Sequence, residues 1–282
     1  MKVIILSLIL AGNLNCMLED SLRDTGSQES LEQSVSDVGD EDECVALVSA
    51  LHQNYADVDT VRNIVAGMAI NNGEYDGLLL EFSDKHECSN VVKELIGAGA
   101  KINCRDESRN TPLILATSNG CAETALALIG GSKDKAEAKR YVNLCNDNGT
   151  TALMRAAEYN VDSWCDTSHP YGGAAGAGVA VVKSLLEVGT DRKIQNKYGK
   201  TALMYAAQAG NVEIVKVLLN PYKGAGVNLK TPKDPKRLWD KPKSALDYAR
   251  DGAGYKKNKL NKGRYEEIIT LISEAISKHK TK

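Results

Sequence analysis

Histidine and cysteine are the residue types in this chain with the most chemistry to offer. The four histidines, His52, His86, His169 and His279, are scattered. His169 alone has candidate ligands close by, with Cys165 four residues before it and Asp162 and Asp166 beside that cysteine. Thiolate and imidazole both bind zinc, so the stretch 161–178 is where metal chemistry could arise. It lacks two further evident ligands, however, and it is rich in glycine, which favours a structural loop. Its run Gly172-Gly173-Ala174-Ala175-Gly176-Ala177-Gly178 resembles a phosphate-binding loop in composition only. It follows no strand pattern and reads as a linker. The chain contains no G-x-S-x-G, no Walker-type loop, no H-E-x-x-H and no C-x-x-C. Neither a nucleophile with its base nor a pair of convergent carboxylates is in view. The expectation is a protein with no catalytic residues, no cofactor and no metal.

The cysteines bear on compartment instead. After Cys16 there are six of them, Cys44, Cys88, Cys104, Cys121, Cys145 and Cys165, an even number that suits an oxidising environment. At most one to three bridges are expected, with either Cys88–Cys121 or Cys121–Cys165 foremost. The alternative is buried reduced thiols packing as small apolar groups. The first residues agree with export. Met1-Lys2, an apolar run from Val3 to Ala11 and small residues after it read as a secretory signal over 1–16, too short to span a membrane. Membrane attachment would require lipidation at Cys16, and a start at Met17 would give a cytoplasmic protein.

The formal net charge of −2 makes no case for nucleic acid. The charge is uneven, though. Residues 19–43 hold ten acidic side chains and one arginine, Arg23, whereas the chain from Asn228 onward is basic. The segment 17–41 is expected to be a disordered acidic arm. Both ends could be simply solvated. Alternatively the arm folds back on the basic end, or the basic end meets an anionic partner.

What must position any surface residue is a block that recurs four times: Thr111-Pro112-Leu113-Ile114-Leu115-Ala116, Thr151-Ala152-Leu153-Met154-Arg155-Ala156-Ala157, Thr201-Ala202-Leu203-Met204-Tyr205-Ala206-Ala207 and Ser244-Ala245-Leu246-Asp247-Tyr248-Ala249. A polar turn precedes each block, and a second apolar stretch follows, as in Gly210-Asn211-Val212-Glu213-Ile214-Val215-Lys216-Val217-Leu218-Leu219. The threonine can cap a helix, and the alanines let it pack closely. One such helical pair cannot bury its apolar face alone and must stack on its copies.

The blocks, the G-x-x-x-x-V-x-x-L-L stretch and the linking segments Gly97-Ala98-Gly99-Ala100-Lys101-Ile102-Asn103 and Gly226-Val227-Asn228 resemble the ankyrin repeat, over about residues 73–275. The resemblance implies an all-α solenoid of helix-turn-helix repeats with short hairpin-like turns. It gives a degenerate N-terminal capping pair at 42–72 and a repeat domain with a C-terminal cap at 73–282. The histidine of the family motif is absent from every copy (Ile114, Met154, Met204 and Asp247 stand there), so less firmly tied turns are expected. The block starts are wider apart than the family's 33 residues. The excess is expected in loops at 131–141, 161–178 and 229–243.

The resemblance also implies a binding function, with turns and first helices lining a concave face. Counting along each block places Leu115, Ser118 and Asn119, then Arg155, Glu158 and Tyr159, then Tyr205, Gln208 and Ala209, then Tyr248 and Asp251 on it. The turns add Arg109, Asn148 and Tyr198. Tyrosine and arginine commonly dominate interface energy, so the candidate partner-binding set is Arg109, Asn148, Arg155, Tyr159, Tyr198, Tyr205, Gln208 and Tyr248. Trp164 and Tyr171 could extend that surface, and Trp239 is expected to cover the core. The leading reading is a monomeric, non-enzymatic module that holds a protein partner. The alternatives are a chaperone or inhibitor of an exported enzyme and a metal-dependent protein built on 161–178.

Overall fold

The computed structural model describes residues 58–67, 72–85, 88–132, 134–158, 176–220, 226–232, 241–254 and 262–280. Twelve helices run among the described residues: α1 Val58–Gly67, α2 Asn72–Ser83, α3 Ser89–Gly97, α4 Pro112–Ser118, α5 Ala122–Gly130, α6 Lys135–Val142, α7 Ala152–Glu158, α8 Ala177–Val188, α9 Ala202–Ala209, α10 Val212–Leu219, α11 Ala245–Gly254 and α12 Lys262–Lys280. They form two layers. Helices α2, α4, α7, α9 and α11 pack in succession as one layer, and α1, α3, α5, α8, α10 and α12 as the other. The pairs α2/α3, α4/α5, α7/α8, α9/α10 and α11/α12 are the repeating units, with α1 packed ahead of them on α3. The only strand-like pairing among the described residues is one antiparallel bridge between Cys145 and Thr151.

The recurring block explains the first layer. Thr111, Thr151 and Thr201 each accept, through Oγ1, the amide three residues on, at 3.3, 3.4 and 3.3 Å. Each bond satisfies a donor that the first helical turn cannot. In the last repeat Ser244 and Asp247 cap reciprocally: the carboxylate accepts from the Ser244 amide at 2.8 Å, and Ser244 Oγ accepts from the Asp247 amide at 3.4 Å. Leu113, Leu153 and Leu203 are buried between neighbouring first helices, with Ala116, Ala156, Ala157, Ala206 and Ala207 letting the backbones approach. The second layer buries Val91, Leu95, Leu128, Val182, Leu185, Val215, Leu218, Ile268 and Ile272. Each large side chain so buried contributes about 1.5–3 kcal/mol, and every one needs the adjacent repeat to cover it.

Two expectations are corrected. Within the excess residues at 131–141 the chain from Lys135 on forms a helix, α6, rather than a loop. The Asp134 carboxylate caps it by accepting from the Ala136 and Glu137 amides, both at 3.2 Å. Ala138, Tyr141 and Val142, at helical spacing, turn inward, and α6 packs on α8. The turns, moreover, are firmly tied without the family histidine. Asn146 Oδ1 accepts from the Asn148 and Thr150 amides, both at 3.0 Å, and Asn196 Oδ1 does the same for Tyr198 and Lys200. Asp106 holds the earlier turn by accepting from the Asn110 amide at 2.7 Å. The backbone then links turn to turn, the Asp147 amide donating to the Ser108 carbonyl at 3.1 Å and the Lys197 amide to the Asn148 carbonyl at 2.9 Å.

Glycine is required where these turns meet. Gly149 and Gly199 have φ of 73° and 70°, and a Cβ on Gly199 would stand 2.1 Å from Pro232 Cδ. Arg109 occupies the equivalent place in the earlier turn with φ of 60°, the one positive-φ residue other than glycine among those described. The stack closes on Tyr265, whose ring covers Gly210 and Gly252 and whose hydroxyl donates to the Gln208 carbonyl at 3.1 Å.

The insertion expected at 161–178 starts after α7, which ends at Glu158, but overruns α8, which begins at Ala177, so Ala177 and Gly178 are helical rather than linker. The one at 229–243 is pinched at its base, where the Thr231 amide donates to the Lys243 carbonyl at 3.0 Å and the Lys243 amide to Thr231 Oγ1 at 2.9 Å. No disulfide joins cysteines among the described residues, so the expected Cys88–Cys121 bridge is not formed. Burial pushes the thiols of Cys104 and Cys121 up to about 12. The signal segment, Cys16, the acidic arm, Cys44, Tyr159, Trp164, Cys165, His169, Tyr171 and Trp239 lie outside the described residues.

Candidate partner-binding surface

The first-helix layer and the turn row share one face of the stack, and the candidate residues divide along it. At its C-terminal end several converge. Tyr205, on α9, and Tyr248, on α11, hold the same register in adjacent repeats, four residues past Thr201 and Ser244. Lys200, from the turn ahead of α9, lies between them, with Nζ 5.1 Å from the Tyr205 ring centroid and 4.9 Å from that of Tyr248. It also donates to Gln208 Oε1 at 2.8 Å. Lys243 approaches Tyr248 to 5.8 Å and pairs with Asp251 at 2.7 Å. A cation over an aromatic face is attracted by the ring quadrupole, by about 0.5–1 kcal/mol at a partly exposed site.

The neighbouring groups shape the electrostatics of this cluster. Burial holds the Lys200 ammonium below its ordinary value, opposed by Glu158 and reinforced by Lys243. Burial, and next Glu158, raises the Tyr205 phenol. Glu158 itself is paired with Arg155 at 2.9 Å. Arg155 Nε is buried with no hydrogen-bond partner among the described residues, an uncommon condition for a polar atom. Tyr205 has a structural duty too, since its hydroxyl accepts from Asn196 Nδ2 at 2.8 Å and so joins helix to turn. Tyr198 stands at the tip of that turn, 65% exposed.

Arg155, Tyr198, Tyr205, Gln208 and Tyr248 thus share one region, across three repeats. Arg109 and Asn148 belong to earlier turns, with exposed side chains and no place in the cluster. The structure adds Lys200 and Lys243, which the count along each block passed over. Both stand immediately before the capping residue, so the motifs Lys200-Thr201-Ala202-Leu203-Met204-Tyr205 and Lys243-Ser244-Ala245-Leu246-Asp247-Tyr248 carried the signal.

Among the described residues no group of three or more His, Cys, Asp or Glu could hold a metal ion, and no helix is long and apolar enough to cross a membrane. No curated protein matches the chain. The sequence pattern of ankyrin repeats matches it in three copies, over residues 79–165 and 173–252. Since that is more than half of the chain, and the two helical layers are those the pattern requires, the chain belongs to the ankyrin repeat family.

Proposed function

We propose that this chain is a non-enzymatic interaction module that holds a protein partner on its first-helix and turn face, centred on the last two repeats. Ankyrin repeats are generally protein–protein interaction modules. The observation that carries the assignment to this end is Lys200 lying between the rings of Tyr205 and Tyr248. Two aromatic anchors in fixed register, held by a cation and rimmed by Gln208 and Tyr198, form a pre-organised patch that loses little side-chain freedom on binding. Export is part of the same proposal and rests on the residues Met1 to Cys16 alone. The intact mass of the protein from its native source tests it.

The partner site is tested by immobilising the wild-type chain and a Lys200→Ala/Tyr205→Ala/Tyr248→Ala variant and quantifying the proteins each retains. A partner of this face is lost from the variant by about 30-fold or more, the loss that one hot spot of about 2 kcal/mol confers, while circular dichroism is unchanged. Equal retention by both chains places the partner elsewhere.

A further inference from the structure

The turns ahead of α9 and α11 carry a surplus of positive charge that the earlier turns lack. Residues 191–200 hold Arg192, Lys193, Lys197 and Lys200 against Asp191, and the next turn sets Lys230, Lys241 and Lys243 against no acid among its described residues. Residues 101–110 are near balance, with Lys101, Arg105 and Arg109 against Asp106 and Glu107, and Asp147 is the only charged residue of 143–150. Lys193, Lys197, Lys230 and Lys241 are exposed, and none of them lies within ion-pair distance of a carboxylate among the described residues. The acids around them are engaged by other groups. Asp191 accepts from the Lys193 amide at 2.8 Å, Glu158 pairs with Arg155, Asp251 pairs with Lys243, and Asp247 closes the Ser244 cap. The two turns form one surface, since Gln195 Nε2 donates both to the Gly199 carbonyl at 2.7 Å and to the Lys230 carbonyl at 3.1 Å, and Gly199 abuts Pro232.

We propose that the protein partner offers this surface an extended acidic segment, its carboxylates set against the lysines of the two turns beside the Lys200–Tyr205–Tyr248 patch. The proposal deepens the reading of that patch as the binding face and rests on it. Unbalanced ammonium groups on adjacent turns raise the local concentration of an anion and repel a cationic partner. The spacing fits an extended chain. Packed helices lie about 8–10 Å apart, so neighbouring turns are about as far apart, and a strand rises about 3.3 Å per residue. Carboxylates about three residues apart therefore meet successive turns. A nucleic acid or an anionic membrane fits less well. The net charge is −2, and Asp191 and Asp251 lie beside Lys193 and Lys243. A continuous row of phosphates would meet those carboxylates, whereas a peptide can place neutral residues there.

Fluorescence anisotropy of a fluorescein-labelled deca-glutamate peptide tests this with the full chain and no partner. Like charges keep the peptide extended, and at about 33 Å it spans both turns. Saturable binding is expected in low salt. It should weaken at least about tenfold when Lys193, Lys197, Lys230 and Lys241 are all changed to glutamine, and as much for the wild type in about 0.5 M salt, where the Debye length is below about 5 Å. The same change at the exposed Lys93, Lys135, Lys139 and Lys183 removes equal charge away from these turns and should weaken binding less than about twofold. Equal losses from the two quadruple variants, or no saturable binding, would overturn the proposal. Tighter binding of an oligothymidylate of equal charge, or of phosphatidylserine vesicles, would overturn it in favour of a phosphate-bearing partner. Acetylation mapping reads the site without any variant: saturating peptide should protect the four turn lysines and leave the other four reactive, and uniform protection would count against the site. Partner retention by the alanine variant is scored separately. Partner loss without peptide binding keeps the binding face and rejects the acidic segment, whereas undiminished retention rejects the face and the proposal with it.

Discussion

The second and third repeating units and the last two are built alike inside and differ outside. At the position before the capping residue the former place Asn110 and Thr150, the latter Lys200 and Lys243. Four residues past the cap they place Leu115 and Arg155, then Tyr205 and Tyr248. Beneath the face Leu113, Leu153 and Leu203 are buried in both regions, with Leu246 of the last repeat partly so. Stability is therefore a property of every unit, whereas the ring-and-cation arrangement belongs to two adjacent ones. In a stacked fold the core repeats because each unit covers the next, and only the face is free to differ.

The largest effects test the shared core. Leu153→Asp and Leu203→Asp each bury an unpaired carboxylate at a position at most 1% exposed. Each should cost several kcal/mol and unfold the stack. A cooperative melt with an unchanged midpoint, from either, would break the equivalence of the two regions. Next is Gly199→Ala, which combines an unfavourable left-handed backbone with a clash on Pro232 and should cost about 3 kcal/mol. Gly149→Ala meets its nearest atom at 3.1 Å rather than 2.1 Å and should cost less. Equal losses in denaturant midpoint would show that close packing of the turns is not special to the C-terminal end.

Asn196→Ala strips the acceptor from two backbone amides and should cost about 1–3 kcal/mol. Asn146→Ala should cost a similar amount, but only the Asn196 variant should also alter Tyr205 ultraviolet absorbance, since it alone releases that hydroxyl. Arg109→Gly runs the other way. It relieves a left-handed arginine at the place where later turns have glycine, and should stabilise by about 0.5–1 kcal/mol. The smallest effect is in acid. Partial burial alone would raise the Asp247 carboxyl, yet hydrogen bonds from the Ser244 amide and hydroxyl, with Arg250 and Lys230, hold it below the ordinary value. Because the folded value is depressed, this stabilisation is complete above about pH 3.9 and fades as the pH falls through the folded value. Ser244→Ala should flatten that part of the acid melting profile.

Much of this architecture was legible in the residues. The capping threonines and the stacking of helical pairs on their copies follow from spacing. The helix α6 was not, because eight residues beginning at Lys135 fall outside the repeating pattern and resemble surplus. Its signal was local: Asp134 as cap, with Ala138, Tyr141 and Val142 at helical intervals. The turn locks were missed for a different reason. The family motif ties its turns through a histidine outside them, whereas Asn146 and Asn196 tie from within the turn through Oδ1. As for the surface, register placed Tyr205, Gln208 and Tyr248 together, but counting from the threonine forward ignored the lysine just behind it. A side chain that long reaches the next repeat's ring, and sequence distance does not reveal that.

The paired amides of Thr231 and Lys243 have one more consequence. Thr231 and Lys243, twelve positions apart in sequence, are fixed within a hydrogen bond of each other. Whatever runs between them is anchored independently of its own length, and the entropic cost of lengthening such a closed excursion grows only logarithmically. Lengthening the segment between them should therefore cost only about 0.6 kcal/mol for each doubling of its length. That segment is a natural port for grafting a second specificity beside the first.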